Sequence, residues 1–197
     1  NFCRKTRISL CNPWYTIYTQ LIGIFRYMNL QPNHLSNHLI RLEPLQSFHF
    51  DELYAAASDP LIWEQHPNPN RYQKDVFESF FEGALESGGA FIIRDVDTGK
   101  TLGSSRFYDH KPLDSEIKIG YTFFTRDCWG RGINKQVKTL MLNYAFIYIE
   151  KVIFHIGAQN IRSQISIEKL GAKKVGEEMI AYYNEPDRLN FVYEMIR

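Results

Sequence analysis

The chain has 197 residues, of which 44% are hydrophobic and 23% are charged, and its formal net charge is +1. This length and balance are typical of one globular domain, and the near-zero charge excludes binding to nucleic acid or membrane driven by bulk electrostatics. The three cysteines, Cys3, Cys11 and Cys128, are odd in number and lack metal-site spacing. We therefore expect a reduced, cytoplasmic setting and no metal site.

The beginning of the chain differs from the rest. Residues 1–42 contain no Asp or Glu, and residues 14–25 are apolar and aromatic with polar interruptions. That stretch is too short and too polar to span a bilayer, and it lacks the clean apolar run of a secretory signal. We expect residues 1–27 to be an N-terminal extension outside the domain and residues 28–197 to form the domain. A basic targeting or membrane-surface segment is the alternative.

Apolar periodicity and turn residues predict the elements in chain order. Strands are predicted at residues 38–45, 90–95, 101–108, 116–124, 152–157, 173–179 and 189–196. Helices are predicted at residues 48–58, 73–87, 133–150 and 163–170. The order β-α-α-β-β-β-α-β-α-β-β predicts a mixed α/β sheet flanked by helices.

The segment at residues 121–135 carries the most specific chemical information. An apolar strand ends, a short loop with Gly130 and Gly132 follows, and a long amphipathic helix begins at once. Glycine lets the main chain adopt positive φ or approach a ligand, and the first helical turn offers unpaired N–H groups at the positive end of the helix dipole. This arrangement indicates a bound phosphate group. The chain lacks both the Rossmann and the P-loop glycine motifs, so neither nucleotide fold is favoured.

Two motifs resemble those of the GNAT superfamily of N-acetyltransferases, and the resemblance covers residues 39–197. Residues 129–134 read Trp-Gly-Arg-Gly-Ile-Asn, which is similar to the pyrophosphate loop Gln/Arg-x-x-Gly-x-Gly/Ala. Trp129 in place of Gln/Arg is usual in the branch that resembles ribosomal-protein-alanine N-acetyltransferases, whereas Asn134 departs from the pattern. Residues 160–172 resemble that branch's Asn-x-x-Ser segment and the following helix, which ends in glycine.

The resemblance implies a mixed, mostly antiparallel central sheet in which two parallel strands splay apart. It also implies acetyl-CoA as the cofactor, with its pantetheine arm in the gap, and transfer of acetyl to a primary amine of a protein N-terminus or a small molecule. Because the thioester is already activated, the amine attacks directly in a ternary complex. The implied cofactor contacts are Phe123, Phe124, Thr125, Trp129, Gly130, Arg131, Gly132, Ile133, Asn134, Lys135, Asn160 and Ser163.

The transfer requires a neutral amine, a polarised carbonyl and a proton for the departing thiolate. The resemblance places a polarising main-chain N–H near Phe124 and makes Ser163 the general acid, although Ser163 also suits the first turn of a helix. Glu116 at a strand start is the candidate base, with a solvated charge as the alternative. A water chain ending on Glu116 or His66 is a further route. Tyr182 is expected to donate a proton or to shape the pocket.

The resemblance places the acceptor site beside the loop at residues 62–72, the third strand and the last hairpin. The candidate side chains there are Trp63, Glu64, His66, Arg106, Tyr108 and Tyr182. Each also has a purely structural interpretation, and His155 in an apolar strand is most simply a core histidine.

Two other functions stay open. A non-catalytic acyl-CoA-binding sensor or scaffold is suggested by the lack of an obvious base. A nucleic-acid or ribosome-binding protein would depend on the basic N-terminal segment. Relatives in this superfamily are often dimers, which suggests a homodimer, but the sequence does not determine the oligomeric state.

Overall fold

A computed structural model describes residues 27–181 and 186–197. The described chain forms one seven-stranded sheet in the order β1-β2-β3-β4-β5-β7-β6. The strands are β1 Ile40–Pro44, β2 Ala90–Asp95, β3 Thr101–Lys111, β4 Glu116–Phe124, β5 Lys151–Gly157, β6 Lys173–Ile180 and β7 Arg188–Ile196. The helices are α1 Phe50–Ala57, α2 Lys74–Glu86, α3 Ile133–Ala145 and α4 Ile161–Glu168.

The sheet has one parallel pair of neighbours, β4 and β5, and its other pairs are antiparallel. The parallel pairing joins Glu116 to Lys151 and ends where Lys118 faces Ile153, although both strands continue beyond that point. A gap therefore opens between the carboxyl-terminal halves of β4 and β5. This confirms the predicted mixed sheet with a splayed parallel pair.

A bulge in β4 accompanies the splay. Phe123 pairs with Ser104 of β3 and Gly120 pairs with Arg106, so Tyr121 and Thr122 together oppose a single residue of β3. Tyr121 has φ +51°, which is unusual for a non-glycine residue. An extra residue of this kind bends the strand and redirects its side chains. The bulge thus sets which residues of β4 face the gap.

Each face of the sheet carries its own apolar core. Helices α3 and α4 cover one face, where Val137 and Met141 pack with Phe154 of β5. Helices α1 and α2 cover the other face, where aromatic side chains such as Phe77 dominate. Along a strand, successive side chains point to opposite faces. Residues in the gap between β4 and β5 can therefore connect the two sides of the sheet.

Two predicted element boundaries differ from the structure by about three residues or more. The helix expected to reach residue 150 ends at Ala145, and a turn carries the chain to β5. Strand β3 continues past residue 108 to Lys111, through an irregular stretch in which Asp109 has positive φ. Ion pairs of Asp109 with Lys118 and of Lys111 with Glu116 hold that stretch. The side chains in this stretch form ion pairs, so the sequence there lacks the apolar alternation that would predict a strand.

The first described residues pack against the rest of the domain. Met28 is buried in the core beneath α3 and α4, and the Tyr144 hydroxyl donates a hydrogen bond to the Asn29 carbonyl at 2.7 Å. Residues 1–26 lie outside the described residues, so the expected boundary at residue 28 stays a prediction. Across residues 27–181 and 186–197, no helix has both the length and the apolar character needed to cross a bilayer.

Candidate active site

The gap between β4 and β5 opens into a cavity of about 520 Å³. This volume lies in the range of small-molecule sites. Its wall includes the start of α3 and the start of α4 on one face of the sheet, and Trp63, His66 and Tyr108 on the other. The cavity therefore lies at the gap between β4 and β5 and is lined by residues from both faces of the sheet.

The start of α3 has the conformation expected of an anion-binding loop. Gly130 and Gly132 have φ of +72° and +76°, and Gly132 caps the helix. A Cβ atom at either glycine would meet nothing within 4 Å, so backbone conformation rather than crowding calls for glycine here. The first turn of α3 contains no acidic residue, and Lys135 in that turn lines the cavity. Free N–H groups and a lysine thus face the same space.

Asn134, the departure from the family motif, has a structural explanation. Its side-chain amide donates a hydrogen bond to the Ser166 hydroxyl at 2.8 Å and so joins α3 to α4. Its Oδ1 atom is buried without a hydrogen-bond partner among the described residues, and Asn134 lines the cavity. A buried acceptor of this kind is costly unless a ligand donor satisfies it. The amides and hydroxyl of a pantetheine arm are donors of the required type, so these residues fit the implied cofactor.

The start of α4 brings both predicted residues of the second motif into the cavity. The Asn160 side chain accepts a hydrogen bond from the Ser163 main-chain N–H at 3.1 Å, so Asn160 is the helix cap. Ser163 is half-buried and lines the cavity. At the rim, the Arg162 guanidinium lies 4.0 Å from the centre of the Trp129 ring and 3.5 Å from Glu64. This contact ties α4 to the glycine loop.

The predicted cofactor residues fall into two groups. Those in the cavity wall are Phe123, Phe124, Trp129, Gly130, Gly132, Ile133, Asn134, Lys135, Asn160 and Ser163. Thr125 and Arg131 lie outside the wall. The Thr125 N–H donates to the Leu102 carbonyl at 2.8 Å, and the exposed Arg131 side chain lies beside the Asp127 carbonyl.

Three of the predicted acceptor residues line the cavity: Trp63, His66 and Tyr108. Arg106 does not, because its guanidinium is buried 3.7 Å from the centre of the Tyr121 ring and donates to the Gly83 carbonyl at 2.6 Å. Arg106 therefore supports the β4 bulge rather than the cavity wall. Glu64 is exposed and paired with Arg162, also outside the wall. Tyr182 lies outside the described residues.

His66 is poorly suited to accept a proton. Its Nε2 atom lies 3.2 Å from the Arg71 guanidinium, which can only donate, so the Nε2 lone pair is engaged. Nδ1 is engaged as well, since it lies 3.1 Å from the Asn68 carbonyl and 3.0 Å from the Asn68 main-chain N–H. Burial, reinforced by the charge of Arg71, holds the pKa of His66 well below its ordinary value. The predicted water chain ending on His66 is therefore disfavoured.

Glu116 is placed at the closed end of the strand pair. Its carboxylate lies 2.7 Å from the Lys151 ammonium and 3.7 Å from that of Lys111, and it does not line the cavity. The reason is topological. Glu116 pairs with Lys151 where β4 and β5 are still hydrogen-bonded, whereas the gap opens toward their other ends. The structure therefore argues against Glu116 as the general base.

His155, which the sequence suggested to be a core residue, is in the cavity wall instead. Its neighbours Phe154 and Ile156 on β5 pack on the α3 and α4 face, so strand alternation turns His155 to the opposite face. Its Nε2 atom lies 3.6 Å from the Glu178 carboxylate, and its side chain is 5% exposed. Burial, followed by the charge of Lys118, lowers the pKa of His155. The alternation of β5 was the signal that could have identified it.

Lys138 is a second cavity residue that the sequence analysis did not nominate. It is buried on α3, and its ammonium donates to the Thr122 hydroxyl at 2.6 Å and to the Ser105 hydroxyl at 3.3 Å. Burial alone lowers the pKa of Lys138 to about 7. A lysine beside the apolar stripe of a helix was the available sequence signal, because such a residue needs a polar partner inside the fold.

The buried lysine predicts an unusual pH dependence of stability. The pKa of Lys138 is about 7 in the folded state, below the ordinary 10.5 expected after unfolding. Between these values only the unfolded state holds the proton, so stability rises with pH. Relative to Lys138→Met, the wild-type free energy of unfolding should increase by up to about 1.4 kcal/mol per pH unit above pH 7. Urea unfolding at pH 7, 8 and 9 measures this. If the free energy of unfolding changed with pH in the same way in the wild-type protein and in Lys138→Met, the prediction would be wrong. Lys135→Met, at an exposed site on the same helix, is the control.

Comparison with known proteins identifies the class. The model of the acetyltransferase (GNAT) domain family matches residues 40–173, which is most of the chain. The chain therefore belongs to the GNAT acetyltransferases, as the two motifs predicted. Among curated proteins, none matches the chain by sequence.

Solved structures share the fold. A proposed acetyltransferase from T. thermophilus is 25% identical with a TM-score of 0.68, over 84% of this chain and 89% of that one. A proposed ribosomal-protein-serine acetyltransferase from Vibrio cholerae is 14% identical with a TM-score of 0.69, over 85% and 99%. The microcin C7 self-immunity acetyltransferase MccE, solved with acetyl-CoA and AMP, is 16% identical with a TM-score of 0.67, over 86% and 99%.

Proposed function

We propose that this protein is an N-acetyltransferase that moves acetyl from acetyl-CoA to a primary amine by direct attack in a ternary complex. The observation that carries the proposal is the cavity at the gap between the splayed strands. One side of it presents the glycine loop and the start of α3, and the other presents Trp63, His155 and Tyr108. This geometry suits a phosphate-bearing donor on one face of the sheet and an amine on the other.

The residues that would hold acetyl-CoA follow from the groups they offer. Main-chain N–H groups at residues 130–135 would bind the pyrophosphate, with charge from Lys135 and Arg131. Asn134 Oδ1 would accept a hydrogen bond from the pantetheine arm, and the main chain around Phe124 would pair with its amides. Bound acetyl-CoA supplies an activated thioester, so the protein needs no covalent acyl intermediate.

On the acceptor side, His155 is the proposed proton acceptor. It lines the cavity, its lowered pKa leaves it neutral at pH 7, and Glu178 lies near its Nε2 atom. Ser163 is the proposed proton donor to the departing thiolate, and a main-chain N–H near Phe124 would polarise the thioester carbonyl. His155 thus takes the role that the sequence analysis gave to Glu116.

The acceptor is proposed to be a protein N-terminus or a small amine. The Vibrio cholerae neighbour, named for a ribosomal-protein serine, supports trying the first class. The aromatic wall around Trp63, Tyr108 and Tyr121 would pack against the carbon chain beside the amine. A cytoplasmic location and a homodimer are part of the same proposal.

Calorimetric titration with acetyl-CoA tests the cofactor assignment. The wild-type protein should bind one equivalent, and Gly132→Val should weaken binding about 100-fold or more. Valine is strongly disfavoured at φ +76°, so the loop would move its N–H groups away from the phosphates. Gly99→Val is the matched control, since Gly99 has φ +70° in the turn between β2 and β3 and is likewise uncrowded. Normal binding by Gly132→Val would show that the loop assignment is wrong.

A non-catalytic acyl-CoA-binding protein is the alternative, and an amine panel separates it from the enzyme. The panel includes peptides that begin with serine or alanine and a small polyamine such as spermidine. Release of CoA that depends on one of these amines would support the transferase. Stoichiometric acetyl-CoA binding with no amine-dependent release across the panel would favour the binding protein.

A further inference from the structure

Lys138, Thr122 and Ser105 form a polar cluster inside an otherwise apolar core. The Thr122 and Ser105 hydroxyls lie 2.8 Å apart, and Lys138 donates to both. Thr122 also lies 3.3 Å from the Gly120 carbonyl, so the whole cluster is anchored on the β4 bulge. The two hydroxyls fix the position of the Lys138 ammonium, and they can hydrogen-bond to each other if it is removed.

The cluster faces the cavity rather than solvent. Lys138 and Thr122 both line the cavity, on the face of the sheet covered by α3 and α4. Thr122 directly precedes Phe123 and Phe124, whose main chain is proposed to hold the thioester end of the cofactor. Lys138 is therefore adjacent to the proposed reaction centre, on the side opposite His155.

The Lys138 ammonium can donate a third hydrogen bond. An ammonium has three N–H donors, and the two hydroxyls account for two of them. Within the described part of the chain, Lys138 makes no ion pair with a carboxylate, and burial is the one influence acting on its pKa. The groups that face it are the two hydroxyls and the Phe154 ring, whose centre is 5.9 Å away. A buried cation with a spare donor beside a ligand cavity suits a ligand atom that becomes negative.

We propose that the Lys138 ammonium stabilises the departing CoA thiolate through its charge. This inference rests on the proposed acetyltransferase function. The amine nitrogen bonds to the acyl carbon, the C–S bond breaks, and its electron pair moves to sulfur. The sulfur leaves as a thiolate paired with the Lys138 ammonium, which keeps its proton. The proton of the attacking amine goes to His155, and the thiolate takes a proton from Ser163, which takes one from water.

Lys138 offers the leaving group a positive charge, which Ser163 does not. A serine hydroxyl can hydrogen-bond to a thiolate, whereas an ammonium also attracts it through charge, and this attraction is strong where water is excluded. A pKa of about 7 keeps a substantial fraction of Lys138 protonated at neutral pH, and a neighbouring thiolate favours that charged form further. Lys138 then supplies the charge, and Ser163 remains the proposed proton donor.

The test uses the product CoA, so it does not depend on the acceptor. The full-length protein is saturated with CoA, and the ultraviolet absorbance of the thiolate is followed from pH 5 to pH 10. In the wild-type protein the pKa of the bound thiol should be lower than that of free CoA by ~1–3 units, as for a group beside an opposite charge. Lys138→Met should abolish most of this shift, Lys138→Arg should retain it, and Ser163→Ala should leave most of it intact.

Failure of this inference can be distinguished from failure of the proposed function. A bound thiol that titrates identically in the wild-type protein and in Lys138→Met would overturn the inference, as would a shift abolished by Ser163→Ala alone. If CoA binds but its thiol titrates like free CoA, this inference fails while the proposed function stands. If neither CoA nor acetyl-CoA binds the folded wild-type protein, both fail. Thermal melts verify that each variant folds, and Thr122→Val, which loosens the ammonium, should give an intermediate shift.

Discussion

Gly103→Ala should destabilise the protein by about 3 kcal/mol or more. A Cβ atom at position 103 would lie 2.0 Å from the Phe123 carbonyl oxygen and 2.9 Å from its carbon. These are main-chain atoms of the neighbouring strand, so relief requires β3 and β4 to separate where Gly103 pairs with Phe124. The φ of +153° at Gly103 adds strain for any other residue. Urea unfolding measures the loss.

The same substitution should impair the site. Phe123 and Phe124 line the cavity, and their main chain is proposed to pair with the pantetheine arm, so a displaced β4 should weaken acetyl-CoA binding even where the variant is folded. Gly176→Ala is the control on a strand without crowding, and Gly88→Ala, with φ +60° in open space, isolates the cost of conformation. If Gly103→Ala were no less stable than Gly88→Ala, the close approach of β3 and β4 would be disproved.

His155→Gln should lower kcat by roughly 10²–10⁴-fold, measured as CoA release with an amine that the panel identifies. Glutamine keeps a polar side chain but takes no proton at neutral pH. Because burial lowers the pKa of His155 below 6.5, the wild-type kcat/KM should rise with pH through that lowered pKa and level off above it. The variant should lose this rise, since the group that must be neutral is gone.

Two controls make the assignment of His155 specific. His110→Gln removes a histidine whose pKa burial also lowers but which does not line the cavity, and it should leave kcat unchanged. Glu178→Gln removes the carboxylate near Nε2, so the pKa of His155 should fall further and the acid side of the profile should move to lower pH. Unchanged kcat in His155→Gln would show that His155 is not the base, and water or another residue would then take that role.

The elements of the fold were largely predictable because their signals are local. Strand β4 was predicted at its observed bounds, since an apolar run lies between polar turns, and β2 likewise. The end of α3 and the extension of β3 were misjudged. After Ala145 the apolar pattern continues, but the backbone forms a turn. Before Lys111 the backbone continues as a strand, but the stretch carries charged residues.

The conformation of the glycine loop before α3 was predictable for a similar reason. Glycine at positions 130 and 132 permits the positive φ that the loop adopts, and the helix that begins at Ile133 supplies its N–H groups. Conformation and dipole are set within a few residues, so the sequence alone indicated them. The bridge from Asn134 to Ser166 joins two helices, and only the fold reveals it.

By itself the sequence determined the order of elements, the glycine loop at the start of α3 and the family, because each depends on spacing along the chain. The tertiary structure decided which side chains meet in the cavity. The point where β4 and β5 separate leaves Glu116 beside Lys151, and the alternation of β5 brings His155 to the gap. The β4 bulge places Thr122 under Lys138. These placements depend on the register between distant strands, where a shift of one residue turns a side chain to the other face of the sheet.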